Sequence, residues 1–241
     1  MKALKHGLLL LTTLVCLASA KAQTADDIVN KNIEAMGGKA KLSQLKSVHM
    51  ELNQEVMGNE VPASVTIVEG KGFRSEADAM GQKVVQVITT TGGWMINPMM
   101  GSTTPQAIPA EQLKQAQDQI YATGALFNYA AKGNTVELQG QEKVGDVNAY
   151  KLKVTNKEGS ETTYYIDPNT YYIIEVSKTG EMMGKPVTIT VTNSDFQKTP
   201  EGYVVPRTMK TDLGGQFSLT TKVTKVDINP TVDTTIFEMP K

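Results

Sequence analysis

The chain has 241 residues, with 24 lysines and arginines against 25 acidic residues and a formal net charge of −1. This near-neutral balance leaves no basic stripe, which argues against a nucleic-acid partner. No apolar run reaches the roughly 20 residues that cross a bilayer, so we expect no membrane-spanning helix.

The first residues have the three parts of an export signal. A basic start is followed by an apolar run from Gly7 to Ala20 and by the small-x-small site Ala20-Lys21-Ala22. We therefore predict a cleaved leader at residues 1–22, a single domain at residues 23–241 and a periplasmic location; a secreted or lipid-anchored protein is the less favoured alternative. Cys16, the only cysteine, would leave with the leader.

The predicted mature chain opens with a helix. Thr24 is a suitable N-cap, and Asp27 three residues later resembles the second half of a capping box. Apolar residues then recur at helical spacing until Gly37-Gly38, where glycine allows the left-handed residue that ends a helix. A short second helix over residues 39–45 is expected to follow.

The period then changes from helical to alternating, beginning with Val48, Met50 and Leu52. Turn residues separate the alternating segments, and such turns join sequence neighbours into an antiparallel meander. The strands predicted after the first are residues 61–69, 71–78, 83–90, 134–141, 147–156, 161–167, 171–179, 186–197, 203–212 and 216–228. Gly92-Gly93 bends the chain into residues 94–98.

The middle of the chain interrupts this series. Residues 99–109 are rich in Gly, Thr and Pro and predict a loop, and Pro109 suits the first turn of a helix that runs to about residue 122. Residues 125–131 predict a further helical turn, and residues 234–240 a short closing turn. About ten strands with two helical segments predict a mainly β, α+β domain, in which a curved sheet or open barrel carries helices against one face.

The sequence offers little catalytic or metal-binding chemistry. His49 is the only histidine after the leader. It shares the polar face of a predicted strand with Glu51, which is typical of a solvated side chain. Glu76 and Asp78 share a strand face, but two carboxylates do not complete a calcium shell. No glycine-rich segment has a phosphate-binding frame. We therefore expect no enzyme activity, no metal and no cofactor.

Methionine is the one unusual feature of the composition. Eleven of the twelve methionines follow the leader, and Met95, Met99 and Met100 flank Trp94. Methionine adapts its shape, so it can line a surface that accepts varied apolar ligands, and it can equally fill an ordinary core. Met182-Met183 lies at a predicted turn. Both interpretations of the methionines, cavity lining and core filling, stay open.

Several phrases, in their order along the chain, resemble bacterial outer-membrane lipoprotein-sorting proteins. The resemblance spans nearly the whole predicted mature chain. It rests on residues 25–29, residues 33–38 with Leu42 and Leu45, residues 93–98, 150–154, 163–167 with Thr170 and Tyr171, residues 226–230 and residues 236–240.

This resemblance implies the LolA/LolB-type fold, an incomplete β-barrel around an apolar cavity with the N-terminal and mid-chain helices as a lid. Members of that fold carry lipoprotein acyl chains or other lipids through the periplasm. The well-studied carriers use an arginine near the cavity mouth. Of the two arginines here, Arg74 and Arg207, Arg74 is the better match, although a solvated strand arginine is the competing interpretation.

Strand alternation combined with the implied fold suggests which residues line the cavity. A register error of one residue would reverse these assignments. The candidates are Met50, Leu52, Val65, Ile67, Val85, Val87, Trp94, Met95 and Met209 on the sheet, with Leu113 and Ile120 on the lid helix.

The sequence thus predicts a periplasmic carrier or binding protein for a lipid acyl chain or a lipoprotein, with inner- or outer-membrane envelope partners and a role in lipoprotein sorting. The alternative is a non-catalytic structural or interaction protein of the cell envelope, whose barrel is filled by its own side chains.

Overall fold

A computed structural model describes residues 23–56, 58–79, 81–98, 101–182 and 185–240. The predicted leader, with Cys16, lies outside these ranges. Five of the methionines that follow the leader also lie outside these ranges: Met57, Met80, Met99, Met100 and Met183.

Three α-helices are present in these ranges: α1 (Ala25–Ala35), α2 (Lys39–Leu42) and α3 (Ala110–Ala116). Short 3₁₀ turns span Gln117–Ile120, Tyr129–Lys132 and Thr234–Phe237. The strands are β1 (Ser47–Val56), β2 (Asn59–Val68), β3 (Gly72–Ala79), β4 (Gln82–Thr89), β5 (Gly93–Asn97), β6 (Ser102–Ala107), β7 (Thr135–Val144), β8 (Val147–Thr155), β9 (Glu161–Ile166), β10 (Ile173–Met182), β11 (Lys185–Lys198), β12 (Val204–Leu213) and β13 (Phe217–Ile228).

All thirteen strands form one antiparallel sheet in the order β6-β5-β4-β3-β2-β1-β13-β12-β11-β10-β9-β8-β7. Every neighbouring pair except β1 and β13 is also consecutive in sequence, as expected for strands joined by short turns. The sheet is curved and does not close, because β6 and β7 stand at opposite edges. The predicted mainly β class with an open, incomplete barrel is confirmed.

The first and last strands of the chain meet at the middle of the sheet. Val48 lies opposite Ile228 and Met50 opposite Val226, with one register shift between Glu51 and Leu52. This pairing joins two meanders, β1 to β6 and β7 to β13, into one sheet. We call the face that carries Val48 and Met50 the inner face and the opposite side the outer face.

Helix α1 begins and ends as its sequence predicts. The Thr24 hydroxyl accepts a hydrogen bond from the Asp27 backbone N–H at 3.2 Å, and the Asp27 carboxylate accepts one from the Thr24 N–H at 3.0 Å, which completes the capping box. Gly37 and Gly38 follow the helix with φ of +131° and +90°. The buried side of α1, with Ile28 and Val29, packs in one cluster with Leu152 of β8.

The structure contains a strand where the sequence predicts a loop. β6 falls within residues 99–109, and its residues are exposed or half-buried. It has no apolar alternation because it is an edge strand with neither face deeply buried. Pro105 is tolerated there, since an edge strand leaves one side without ladder hydrogen bonds. With β6 and β5 counted, the sheet has thirteen strands rather than about ten.

The C-terminal turn, Thr234–Phe237, covers part of the outer face of the β1–β6 meander. Phe237 packs with Val85, Val87 and Trp94 in a buried cluster, and the Trp94 indole N–H donates to the Phe237 carbonyl at 3.0 Å. The fit is close enough that a Cβ added at Gly72 of β3 would lie 2.9 Å from the Phe237 ring. The turn therefore seals this part of the outer face against water.

We predict that Phe237→Ala lowers the free energy of unfolding by about 3 kcal/mol, because it removes a buried ring and leaves a cavity beside Trp94. Urea denaturation followed by tryptophan fluorescence measures the change. Met239→Ala is the control, since Met239 is 46% exposed, and should change stability by less than about 0.5 kcal/mol. Equal effects of the two substitutions would contradict a sealing role for the turn.

Candidate ligand cavity

A cavity of about 500 Å³ lies between the inner face and the segment that links the two meanders. Its volume is within the range of about 300–1,000 Å³ that is usual for small-molecule sites. The linking segment must cross the inner face, because it leaves the sheet at edge strand β6 and re-enters at edge strand β7. Residues 122–127 of this segment, which we call the lid, line the cavity together with α1, α2 and strands of both meanders.

The lining is mostly apolar because of strand register. Directly opposite residues of an antiparallel pair point to the same face, and Val48 lies opposite both Ile67 and Ile228. On the other meander Val176 lies opposite Val191. All five of these residues line the cavity, so apolar positions from strands far apart in sequence form one surface.

Two of the residues that sequence analysis selected, Met50 and Ile67, line this cavity. Leu52 and Val65 share the inner face with them, since Val65 lies opposite Met50 and Leu52 two positions further on. Met209 also lies on the inner face, opposite the cavity-lining Asn193. None of these last three is among the residues that line the cavity.

Met95, Leu113 and Ile120 lie together beside the cavity. They pack around Ile88 of β4 in a separate buried cluster, where α3 and the following 3₁₀ turn rest on the inner face. The neighbouring Gln119 lines the cavity whereas Ile120 does not. This cluster supports the start of the lid.

Val85, Val87 and Trp94 lie on the outer face, because Trp94 is opposite Val87 and shares its side. Alternation does not decide the orientation of β4, since Val84, Val85, Val87 and Ile88 make both of its sides apolar. The structure supplies the reason: α3 and the 3₁₀ turn that follows it cover one side of β4, and the C-terminal turn covers the other.

Arg74 also lies on the outer face, opposite Val87. Its guanidinium pairs with Glu76, donates to the Ile236 carbonyl at 2.6 Å and sits 5.4 Å from the centre of the Trp94 ring. These contacts hold the C-terminal turn in place. They set Arg74 apart from the residues that line the cavity.

The cavity lining includes polar residues that sequence analysis did not select, among them Asp118, Tyr164 and Lys178. Burial lowers the pKa of Lys178, and the nearby Asp118 carboxylate opposes that shift. Burial also raises the pKa of Asp118, and burial together with Asp118 raises the pKa of Tyr164. The sequence does give a signal for Lys178, because it lies two positions after Val176 and therefore on the same, apolar face of its strand.

The lid is held by a partly buried polar contact that begins just after β2. The Glu69 carboxylate accepts hydrogen bonds from the Thr123 N–H at 3.0 Å and the Thr123 hydroxyl at 2.8 Å. Lys132 donates to the same hydroxyl at 2.8 Å and to the Gly124 carbonyl at 2.6 Å. Its ammonium also lies 4.3 Å from the centre of the Tyr121 ring. Glu69 and Lys132 together therefore hold the lid at Thr123 and Gly124.

Burial lowers the pKa of Lys132 from 10.5 to about 8, and the carboxylates of Glu69 and Asp118 only partly offset it. We predict a titration of Lys132 near pH 8, separate from the exposed lysines, when ¹³C resonances of the lysine Cε atoms are followed by NMR. Between the pKa of Lys132 in the folded state, about 8, and its ordinary value of 10.5, the unfolded state binds more protons than the folded state. The free energy of unfolding therefore rises with pH across this range.

Glu69→Gln should lower the pKa of Lys132 further, because it removes a negative charge that favours the ammonium. A Lys132 that titrates near 10.5, the ordinary value for lysine, would contradict the buried placement.

The described residues show no cluster of metal-binding side chains. Across these ranges, no group of three or more His, Cys, Asp or Glu side chains is placed to hold a metal ion. The His49 ring nitrogen Nδ1 is 2.9 Å from the Thr66 hydroxyl on strand β2. Both residues point to the outer face, since His49 alternates with Val48 and Met50. None of the helices in this part of the chain is long and apolar enough to cross a membrane.

Comparisons with known proteins identify the fold. No protein-family model matches the chain, and no curated protein sequence matches it significantly. Solved structures do match. A LolA superfamily protein from Nitrosomonas europaea aligns with a TM-score of 0.58 and 12% identity over 91% of this chain and 99% of its own.

Two further structures align over similar lengths. A DUF1329 family protein from Desulfovibrio piger gives a TM-score of 0.57 and 14% identity over 90% of this chain and 98% of its own. A domain described as an outer membrane lipoprotein-sorting protein, from Vibrio parahaemolyticus, gives 0.55 and 12% over 88% and 94%. The chain therefore has a LolA-like fold, as the sequence resemblance implied.

Proposed function

We propose that this protein binds the acyl chain of a lipid or lipoprotein in the cavity between the inner face and the lid. The observation that carries the proposal is the cavity itself, about 500 Å³ and lined mainly by apolar side chains. A barrel filled by its own side chains would leave no such space. The likeness of the fold to LolA superfamily structures supports the same choice.

Burial of methylene groups supplies the binding energy. Each buried methylene contributes about 0.8 kcal/mol, so an acyl chain of ordinary length gains several kcal/mol without any specific polar contact. Part of this gain offsets the loss of freedom of the bound chain. Apolar surfaces from both meanders, with Val48 and Ile67 on one side and Val176 and Val191 on the other, would surround the chain.

The proposal includes the cellular setting that the sequence indicates. Residues 1–22 would direct export and be removed, and the single domain at residues 23–241 would act in the periplasm. An inner-membrane donor and an outer-membrane acceptor are the envelope partners that a lipoprotein-sorting role requires. The protein would act as a carrier and not as an enzyme, which is consistent with the position of His49 on the outer face.

We predict that Val191→Trp weakens binding of N-phenylnaphthylamine, a neutral apolar dye, by more than about tenfold, because the indole fills the cavity. Dye fluorescence measures binding. Thr192→Trp is the matched control: it adds the same side chain at the next position of β11, where Thr192 is exposed on the outer face. It should leave binding unchanged, and both variants should melt within a few degrees of the wild type.

Native mass spectrometry of the protein purified from its own envelope provides a second test. A co-purified lipid that Val191→Trp excludes is the expected result. Absence of bound lipid, together with dye binding that is the same in both tryptophan variants, would contradict the proposal and leave the envelope scaffold as the better account.

A further inference from the structure

One corner of the cavity is polar. Lys178 reaches it from β10, where it lies opposite Ile189 of β11 and Thr162 of β9. Tyr164 comes from the next inner-face position of β9, and Asp118 from the 3₁₀ turn that precedes the lid. The three groups line the same apolar cavity, so they lie where a ligand's polar end would meet them.

Two of these groups lack direct partners among the described residues. The Lys178 ammonium has no hydrogen bond or close ion pair there and interacts with Asp118 only through space. The Tyr164 hydroxyl likewise has no hydrogen bond. By contrast, Lys153 of β8 pairs with Glu137 at 3.3 Å and Glu161 at 3.4 Å on the outer face. Lys178 and Tyr164 are both half-buried, so their polar atoms are open to the cavity and free to bind a ligand.

The charges that face this corner favour an oxyanion next to Lys178. Lys132 also lies near Asp118, but its ammonium is occupied by Thr123, Gly124 and, at 3.9 Å, Glu69. Among the described residues Asp118 is the one carboxylate that lines the cavity, and its side chain is hydrogen bonded to Asn134. Lys178 and Tyr164 are therefore the available donors, and both are suited to a negatively charged oxygen.

We propose, on the basis of the proposed function, that the ligand is a single-chain amphiphile with an anionic oxygen headgroup. Its carboxylate or phosphate monoester would accept hydrogen bonds from the Lys178 ammonium and the Tyr164 hydroxyl, while its alkyl chain lies along the apolar lining. A cationic headgroup would be repelled by Lys178, and a neutral alcohol would forgo the charge-assisted hydrogen bond.

The test compares four ligands with the same ten-carbon chain: decanoate, decyl phosphate, decanol and decylamine. Each displaces N-phenylnaphthylamine from the wild-type protein at neutral pH. The expected order places the better anion at least about tenfold, or about 1.4 kcal/mol, tighter than decanol, with decylamine weakest. Tighter decanoate indicates a fatty acid, and tighter decyl phosphate indicates a phosphorylated lipid.

Lys178→Met should remove the preference for anions while decanol binds as before, because methionine keeps the length of the side chain without its charge. Lys210→Met, on the exposed outer face, is the matched control and should keep the preference. Tyr164→Phe should reduce the preference by a smaller factor. Lys178→Gln provides a second uncharged variant if thermal melting shows that the methionine variant is misfolded.

The outcomes separate the two proposals. Equal affinity of the wild type for decanoate, decyl phosphate and decanol overturns the headgroup inference and leaves acyl-chain binding intact. A preference for anions that survives both Lys178 substitutions overturns the assignment to Lys178. Failure of all four ligands to displace the dye overturns acyl-chain binding and the headgroup inference with it.

Discussion

The hydrogen-bonded pairing of β1 with β13 determines the rest of the architecture. It joins the two meanders at the middle of the sheet and so leaves β6 and β7 at opposite edges. The chain between those edges has to pass across the sheet, and the lid is the result. The cavity thus follows from topology: the crossing segment covers a curved face without filling it, and inner-face register makes the walls apolar.

Two short segments seal the sheet on different sides, and both depend on polar contacts. The lid is held on the inner side by Glu69 and Lys132 through Thr123. The C-terminal turn is held on the outer side by Arg74 and Trp94, which bond to consecutive backbone carbonyls. β4 lies between α3 with its following 3₁₀ turn on the inner side and the C-terminal turn on the outer side. This explains why β4 is apolar on both of its faces and has the fully buried Val87 and Ile88 at adjacent positions.

Local features of this fold were accessible from the sequence, and long-range ones were not. The capping box, the glycine end of α1 and most strands follow from neighbouring residues, and the family resemblance supplied the open barrel. Alternation selected Met50 and Ile67, which line the cavity, but it cannot decide the orientation of β4, where both faces are covered. Asp118, Tyr164 and Lys178 come from three separate elements, and only the folded sheet brings them to one corner.

The unpaired edges β6 and β7 have a consequence for the range of molecules that can be accommodated. A closed barrel has a radius fixed by its number of strands and its stagger. An open sheet has no such closure condition, so a small change of twist at each of its twelve interstrand junctions alters the enclosed width without breaking a ladder hydrogen bond. The elastic strain is shared along the whole sheet, and the crossing segment, whose length is fixed, limits how far the two margins can separate.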